Sequence, residues 1–202
     1  VVKIPFDNYS FAEQVCSISL IFIMFYGGFG TNWEHARPAA GKAVLLSTVG
    51  VLLTAGVTGI LCHYILSISW IESFLIGALL SSTDAASVFS ILRSKQLNLK
   101  YNTASLLELE SGSNDPVAYM MTAILITVAK GSLNSYQLIQ MVVLQIGGGI
   151  VCGILFAAAS VYLMKHCRFS TDGFDIIFSV GVALLAYAMP TAMGANGYLS
   201  VY

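Results

Sequence analysis

Residues 104–129 read ASLLELESGSNDPVAYMMTAILITVA. The stretch is long enough to cross a bilayer as a helix, yet it carries Glu108, Glu110 and Asp115. Ser111, Ser113 and Asn114 lie beside these carboxyls, and Pro116 follows the aspartate directly. An ionisable group at mid-membrane costs roughly 2.5–3.5 kcal/mol even on lenient insertion scales. Three carboxyls in one span therefore predict a site for ions or protons, turned toward the inside of a helix bundle.

The rest of the chain agrees with a membrane setting. Of its 202 residues, 57% are hydrophobic and 9% charged. Soluble domains carry about 25% charged residues, so the chain reads as a polytopic membrane protein. A net charge of −1 argues against nucleic acid as a partner. Cys16, Cys62, Cys152 and Cys167 are scattered, without metal spacing, and read as small apolar fillers. Val1 is followed by no charged leader or cleavage site, so no signal peptide is read. Tyr202 stands where another apolar run begins, which suggests a piece of something longer.

Six spans are expected, at about 10–29, 43–66, 70–92, 102–129, 137–164 and 174–189, with the start of another at 197. Only helices satisfy the backbone in lipid for runs of this pattern. Loops near 31–42, 93–101 and 165–172 hold Arg37, Lys42, Arg93, Lys95, Lys100, Lys165 and Arg168, against Lys3 and Lys130 on the other side. The positive-inside rule places those three loops in the cytoplasm of a cell-membrane protein. An anionic-substrate funnel would use the same charges, but the insertion rule accounts for them. His35, His63 and His166 sit near span ends and read as interfacial, as do Tyr26, Trp33, Tyr64 and Trp70. Glu72 lies near the outer interface. Gly149 and Gly153 have the spacing of close helix packing, and Gly27, Gly28 and Gly30 read the same way.

Asp84 lies nine residues before Arg93, and Asp115 fifteen after Lys100. At about 1.5 Å per residue they are roughly 13 and 22 Å deep, so two consecutive spans place acids in the middle of the membrane. Ser81-Ser82-Thr83-Asp84 interrupts an apolar helix, and broken helices at the midplane expose backbone groups to ions in many transporters. Ser111 and Asp115 share a helical face, with Glu108 one turn away, while Glu110 and Asn114 form an adjacent stripe. Pro116 supplies no N–H to the carbonyl of Gly112, freeing a possible hard-cation ligand. Back-bonding explains each serine taken alone, and an interhelical hydrogen bond explains Asn114, but neither explains the carboxylates.

SSTDAASVFSILR at 81–93, followed by LLELESGSNDPVAYMMT at 106–122, resembles the CPA1 group of monovalent cation:proton antiporters, in its bacterial NhaP-type branch. LIFIMFYGGFGTNW at 20–33 is similar to that family's third span, although Tyr26 stands where an aspartate often precedes the glycines. The resemblance implies an all-α, NhaA-like antiporter bundle with inverted repeats and a discontinuous helix, about half of it present. It implies that Asp115 binds cation or proton, with Thr83, Ser111 and Asn114 helping to hold the ion. Asp84 would balance helix-end dipoles, and Glu110 would pair with a base beyond Tyr202. Glu108 belongs to the sub-branch pattern and receives no role. It further implies electroneutral exchange of Na⁺ or K⁺ for H⁺, a homodimer, no resident cofactor, and a transporter rather than an enzyme. The alternatives are an intramembrane aspartyl protease using Asp84 and Asp115, whose TDAAS and NDPVA do not match that chemistry's usual motifs, a cation channel, or a structural subunit.

Overall fold

The computed structural model describes residues 7–94, 99–100, 103–131, 134–166 and 173–202, and every regular element among them is helical. Lys3, Lys95, Cys167 and Arg168, and the side chains of His35 and Arg93, lie outside the described residues.

Helix α1 spans Tyr9–Phe29, opened by Asn8, whose side chain accepts from Phe11 N at 3.0 Å. Ile21, Met24 and Gly27 are its buried stripe, at the i, i+3 spacing of one helix face. The next helix starts earlier than the charge pattern suggests. Asn32 caps α2 (Trp33–Leu45) through Glu34 N, so Arg37 and Lys42 lie on helix rather than in a loop. A π turn, Leu46–Gly50, carries α2 into α3 (Val51–Leu66). The reason is local: a good cap, and an acid in the first turn that suits the helix dipole.

Ser67 (φ 54°) closes α3 in a left-handed cap, its N–H donating to His63 O at 3.0 Å. His63 Nδ1 donates to Ile68 O at 2.7 Å, and its ring stacks on Trp70 at 3.8 Å. Glu72 is half of a capping box with Ser69 that starts α4 (Trp70–Leu80). The hairpin α3–α4 is tight because glycines face it: a Cβ on Gly77 would lie 3.0 Å from Gly59 N and against the Ala55 carbonyl. Backbone cannot move aside as a side-chain tip can. Gly77→Ala is therefore expected to lower thermal stability by ~1–3 kcal/mol, measured by a thermal shift on the purified full-length protein, with Gly56→Ala, in open space, as the near-neutral control.

The chain then breaks. After α4, residues Ser81 to Asp84 leave helical geometry, and α5 (Ala85–Ser94) resumes. Eleven and ten residues rise only about 17 and 15 Å, so neither half crosses the ~30 Å hydrocarbon core alone. Helix α6 (Thr103–Ala129) is unbroken through Pro116 and packs against α2, α4 and α5. Helix α7 (Ser135–Val143), a second π turn (Leu144–Gly148) and α8 (Gly149–His166) form one long span. Helix α9 (Phe174–Ala192) runs past Pro190 and turns at Gly194 (φ 80°) into α10 (Gly197–Val201).

Among the described residues, four helical stretches are long and apolar enough to cross a membrane: Tyr9–Phe29, Ala36–Leu66, Ser135–His166 and Phe174–Ala192. Their outward residues, such as Leu53, Ile154 and Ile176, are largely exposed, as lipid-facing side chains are. This is an integral membrane protein. Its core joins Ile21 and Met24 of α1, Phe89 of α5, Ala183 and Ala186 of α9, and Tyr198 and Val201 of α10. The small residues allow the close approaches: a Cβ on Gly149 would lie 2.9 Å from Asn196 O, and one on Gly153 2.8 Å from Ser200 O.

Candidate functional site

The break between α4 and α5 divides its four polar residues into two pairs. The outer pair serves the helix ends. Ser81 N and Oγ both donate to Ala78 O, at 3.3 and 2.7 Å, and finish α4. Asp84 opens α5: its Oδ1 accepts from Ser87 N at 3.2 Å, and its Oδ2 accepts from the Ser87 hydroxyl. A carboxylate at that helix N-terminus also meets the positive end of the dipole.

The inner pair reaches across to α6. Ser82 Oγ donates to Asp115 Oδ1 and lies 3.4 Å from Asn114 Oδ1. Thr83 Oγ1 is 2.9 Å from Ser111 Oγ, where either hydroxyl supplies the proton, and accepts from Asn114 Nδ2 at 2.5 Å. Asn114 Nδ2 donates also to Glu110 Oε1 at 3.1 Å. Ser111 and Asn114 are fully buried, so both amide protons and the serine hydroxyl are satisfied by protein, as burial requires.

Two clefts meet at Ser82 and Thr83. One, of about 330 Å³, is lined by Asp115, Asp84, Ser82 and Thr83 together with Leu20 and Ile23 of α1. The other, of about 310 Å³, lies on the opposite side of the break and reaches Glu110, Thr54 and the first π turn. Asp84 and Asp115 thus face one cavity, as their depths suggested, although α4–α5 is not the straight helix on which that depth was counted. Asp115 and Thr83 both line the cavity. Ser111 instead lies beneath it, bonded to Thr83. Glu108 is half-buried on α6 and lines neither cleft. A shared-proton dyad of Asp84 and Asp115 would need both carboxyls available, and Asp84 is engaged on both oxygens by Ser87.

Two residues lay beyond the sequence reading of the site. Ser82 was visible in the run Ser81–Asp84, but nothing there separates it from its neighbours. Asn196 was not anticipated: it caps α10 through Leu199 N at 3.1 Å, and its Nδ2 donates to Pro116 O at 3.0 Å, one residue from Asp115. Its own N–H donates to Gln145 O in the second π turn at 3.2 Å. A residue Asn between two glycine-bearing turns before an apolar run signals a cap, but not a partner eighty residues away.

The family described as sodium/hydrogen exchanger, transmembrane, matches residues 1–202. The chain belongs to that family. Over 204 residues it is 40% identical to the K(+)/H(+) antiporter NhaP of Alkalimonas amylolytica, a match covering 98% of this chain and 35% of that protein. It is 34% identical to the K(+)/H(+) antiporter NhaP2 of Shewanella sp. (strain MR-4), with the same coverages. The exchanger-family chain thus spans about a third of the curated relatives it matches. Among solved structures, the sodium proton antiporter MjNhaP1 from Methanocaldococcus jannaschii superposes with a TM-score of 0.75 at 26% identity, over 94% of this chain and 46% of that one. The fold is accordingly an antiporter helix bundle with a discontinuous helix, and this chain carries a part of it. The relatives are named as transporters, not enzymes.

Proposed function

We propose that the full-length protein exchanges a monovalent cation, Na⁺ or K⁺, for H⁺ across the cell membrane, with cation and proton competing for Asp115. The observation that carries this reading is the Asp115 carboxylate facing a polar cleft across a helix break, beside the Thr83 hydroxyl. Burial disfavours a bare carboxylate, and either a proton or a cation relieves it. Oxygen donors suit a hard cation, and the cation is substrate, not a resident group. Thr83 and Asp115 would touch it, Ser111 and Asn114 would hold Thr83 in place, and Asp84 would fix α5. Exchange of one charge for one charge is electroneutral. Homodimerisation belongs to this reading through the resemblance alone.

The test uses the full-length protein in energised everted vesicles. Adding Na⁺ or K⁺ while following internal pH should give cation-dependent alkalinisation and name the ion. No response to either cation in correctly inserted protein would remove the antiporter reading. Saturation with cation separates exchange from a channel.

The excess of Lys and Arg also supports loops near 93–101 and 165–172 on the cytoplasmic side. A single cysteine at Lys100 in a cysteine-free background should react with a membrane-impermeant maleimide in everted vesicles and resist it in intact cells. Labelling from outside would overturn the orientation.

A further inference from the structure

We propose that Ser82 is a positioning residue for the exchange, holding the Asp115 carboxylate toward the cation path; this rests on the reading of Asp115 given above. Ser81 and Asp84, its neighbours, are engaged at the ends of α4 and α5. Thr83 is engaged by Ser111 and Asn114. Ser82 is the member of the break whose hydroxyl donates to the Asp115 carboxylate. A hydroxyl carries one proton and two lone pairs. With the proton directed to Asp115 Oδ1, none is left for Thr83 O or Asn114 Oδ1, two acceptors that both lie farther away at 3.4 Å.

The position matters as much as the bond. Among the described residues, Ser82 and Thr83 alone line both clefts, so they stand between the Asp115 side and the Glu110 side. The carboxylate is therefore tethered to one of these two residues. An aspartate carboxyl turns freely about its last torsion, which is broad. The tether removes that freedom and fixes one oxygen, leaving Oδ2 to meet an ion entering beside Leu20 and Ile23. A cation then finds a preset ligand rather than one it must order, which appears in affinity rather than in turnover. Hydrogen bonds to charged groups are about twice as strong as neutral ones, so the loss is a measurable one.

The experiment measures saturable cation-driven proton exchange by the full-length protein in reconstituted vesicles, with both Na⁺ and K⁺. Ser82→Ala should raise the cation KM about tenfold and leave kcat within about twofold. Ser82→Thr, which keeps the hydroxyl, should restore KM. A KM unchanged in Ser82→Ala, or a fall in kcat at unchanged KM, would overturn the positioning role. If Ser82→Ala does not reach the membrane, Ser82→Cys keeps the volume with a weak donor and is judged by the same KM. Asp115→Asn is run beside it. If that variant still exchanges, the Asp115 reading fails and Ser82 with it; if it is dead while Ser82→Ala keeps its KM, Ser82 alone is wrong.

Discussion

Asp115→Ala in the full-length protein is expected to abolish cation-dependent alkalinisation of everted vesicles, with protein level and insertion unchanged. The carboxylate lines the break-facing cleft, and one of its oxygens accepts from Ser82 across the break rather than from a helix end of its own. Competition needs a ligand that binds proton and cation in turn, and alanine offers neither. Asp115→Asn should be as severe. Its amide keeps the shape and can meet the Ser82 hydroxyl, but it neither takes up a proton at physiological pH nor carries the charge a cation requires. Asp84→Asn makes the contrast. Asparagine caps helices about as well as aspartate, so α5 should still start at Ala85 and exchange should fall far less. Equal loss in the two variants would show that Asp84 does more than open α5. Full exchange in Asp115→Asn would end the competition scheme.

What the sequence revealed follows from where its signals are strong. Small polar residues alone, Ser81 to Thr83, fit a straight helix, but with Asp84 beside them in an apolar span the run marks the discontinuity between α4 and α5. The carboxylates of α6 point to a candidate site, because lipid makes such residues costly, but nothing in their spacing tells that Asp115 and Glu110 line different clefts and Glu108 neither. Helix boundaries were less legible. Arg37 and Lys42 read as loop residues through their charge, yet Asn32 starts a helix at Trp33, and long basic side chains can reach the interface from a helix end. The two π turns, LSTVG at 46–50 and LQIGG at 144–148, left no periodicity that separates them from α-helix. Partners were least legible. That Asn114 would bond to Thr83, and Asn196 to Pro116, depends on how α4–α5, α6 and α10 cross. Such crossings rest on small residues such as Gly112, where a Cβ would meet the ring of Tyr202 at 2.7 Å, and no spacing along the chain encodes the partner.

Asn114→Leu should produce the second large effect, a joint loss of exchange and stability. Leucine matches asparagine roughly in size, so cavity formation is a minor part of the change. What disappears is a donor that serves two acceptors at once, Thr83 Oγ1 and Glu110 Oε1, inside a residue with no solvent exposure. Each buried group left without its partner costs about 1–3 kcal/mol, so destabilisation of roughly 2–4 kcal/mol is expected, read as a lower thermal midpoint of the purified full-length protein. Exchange should fall further than stability alone accounts for. Thr83 would lose the bond that orients its oxygen toward the cleft, while its remaining contact, Ser111 at 2.9 Å, allows either hydroxyl to donate. The cation would then meet a threonine free to turn away. Ser113→Ala, one position away on the same helix and only half-buried, is the control and should change both quantities little. If Asn114→Leu lowered the thermal midpoint but kept the wild-type cation KM and rate, Asn114 would be a packing element of α6 and the hydrogen-bond chain from Glu110 through Asn114 to Thr83 would have no part in exchange.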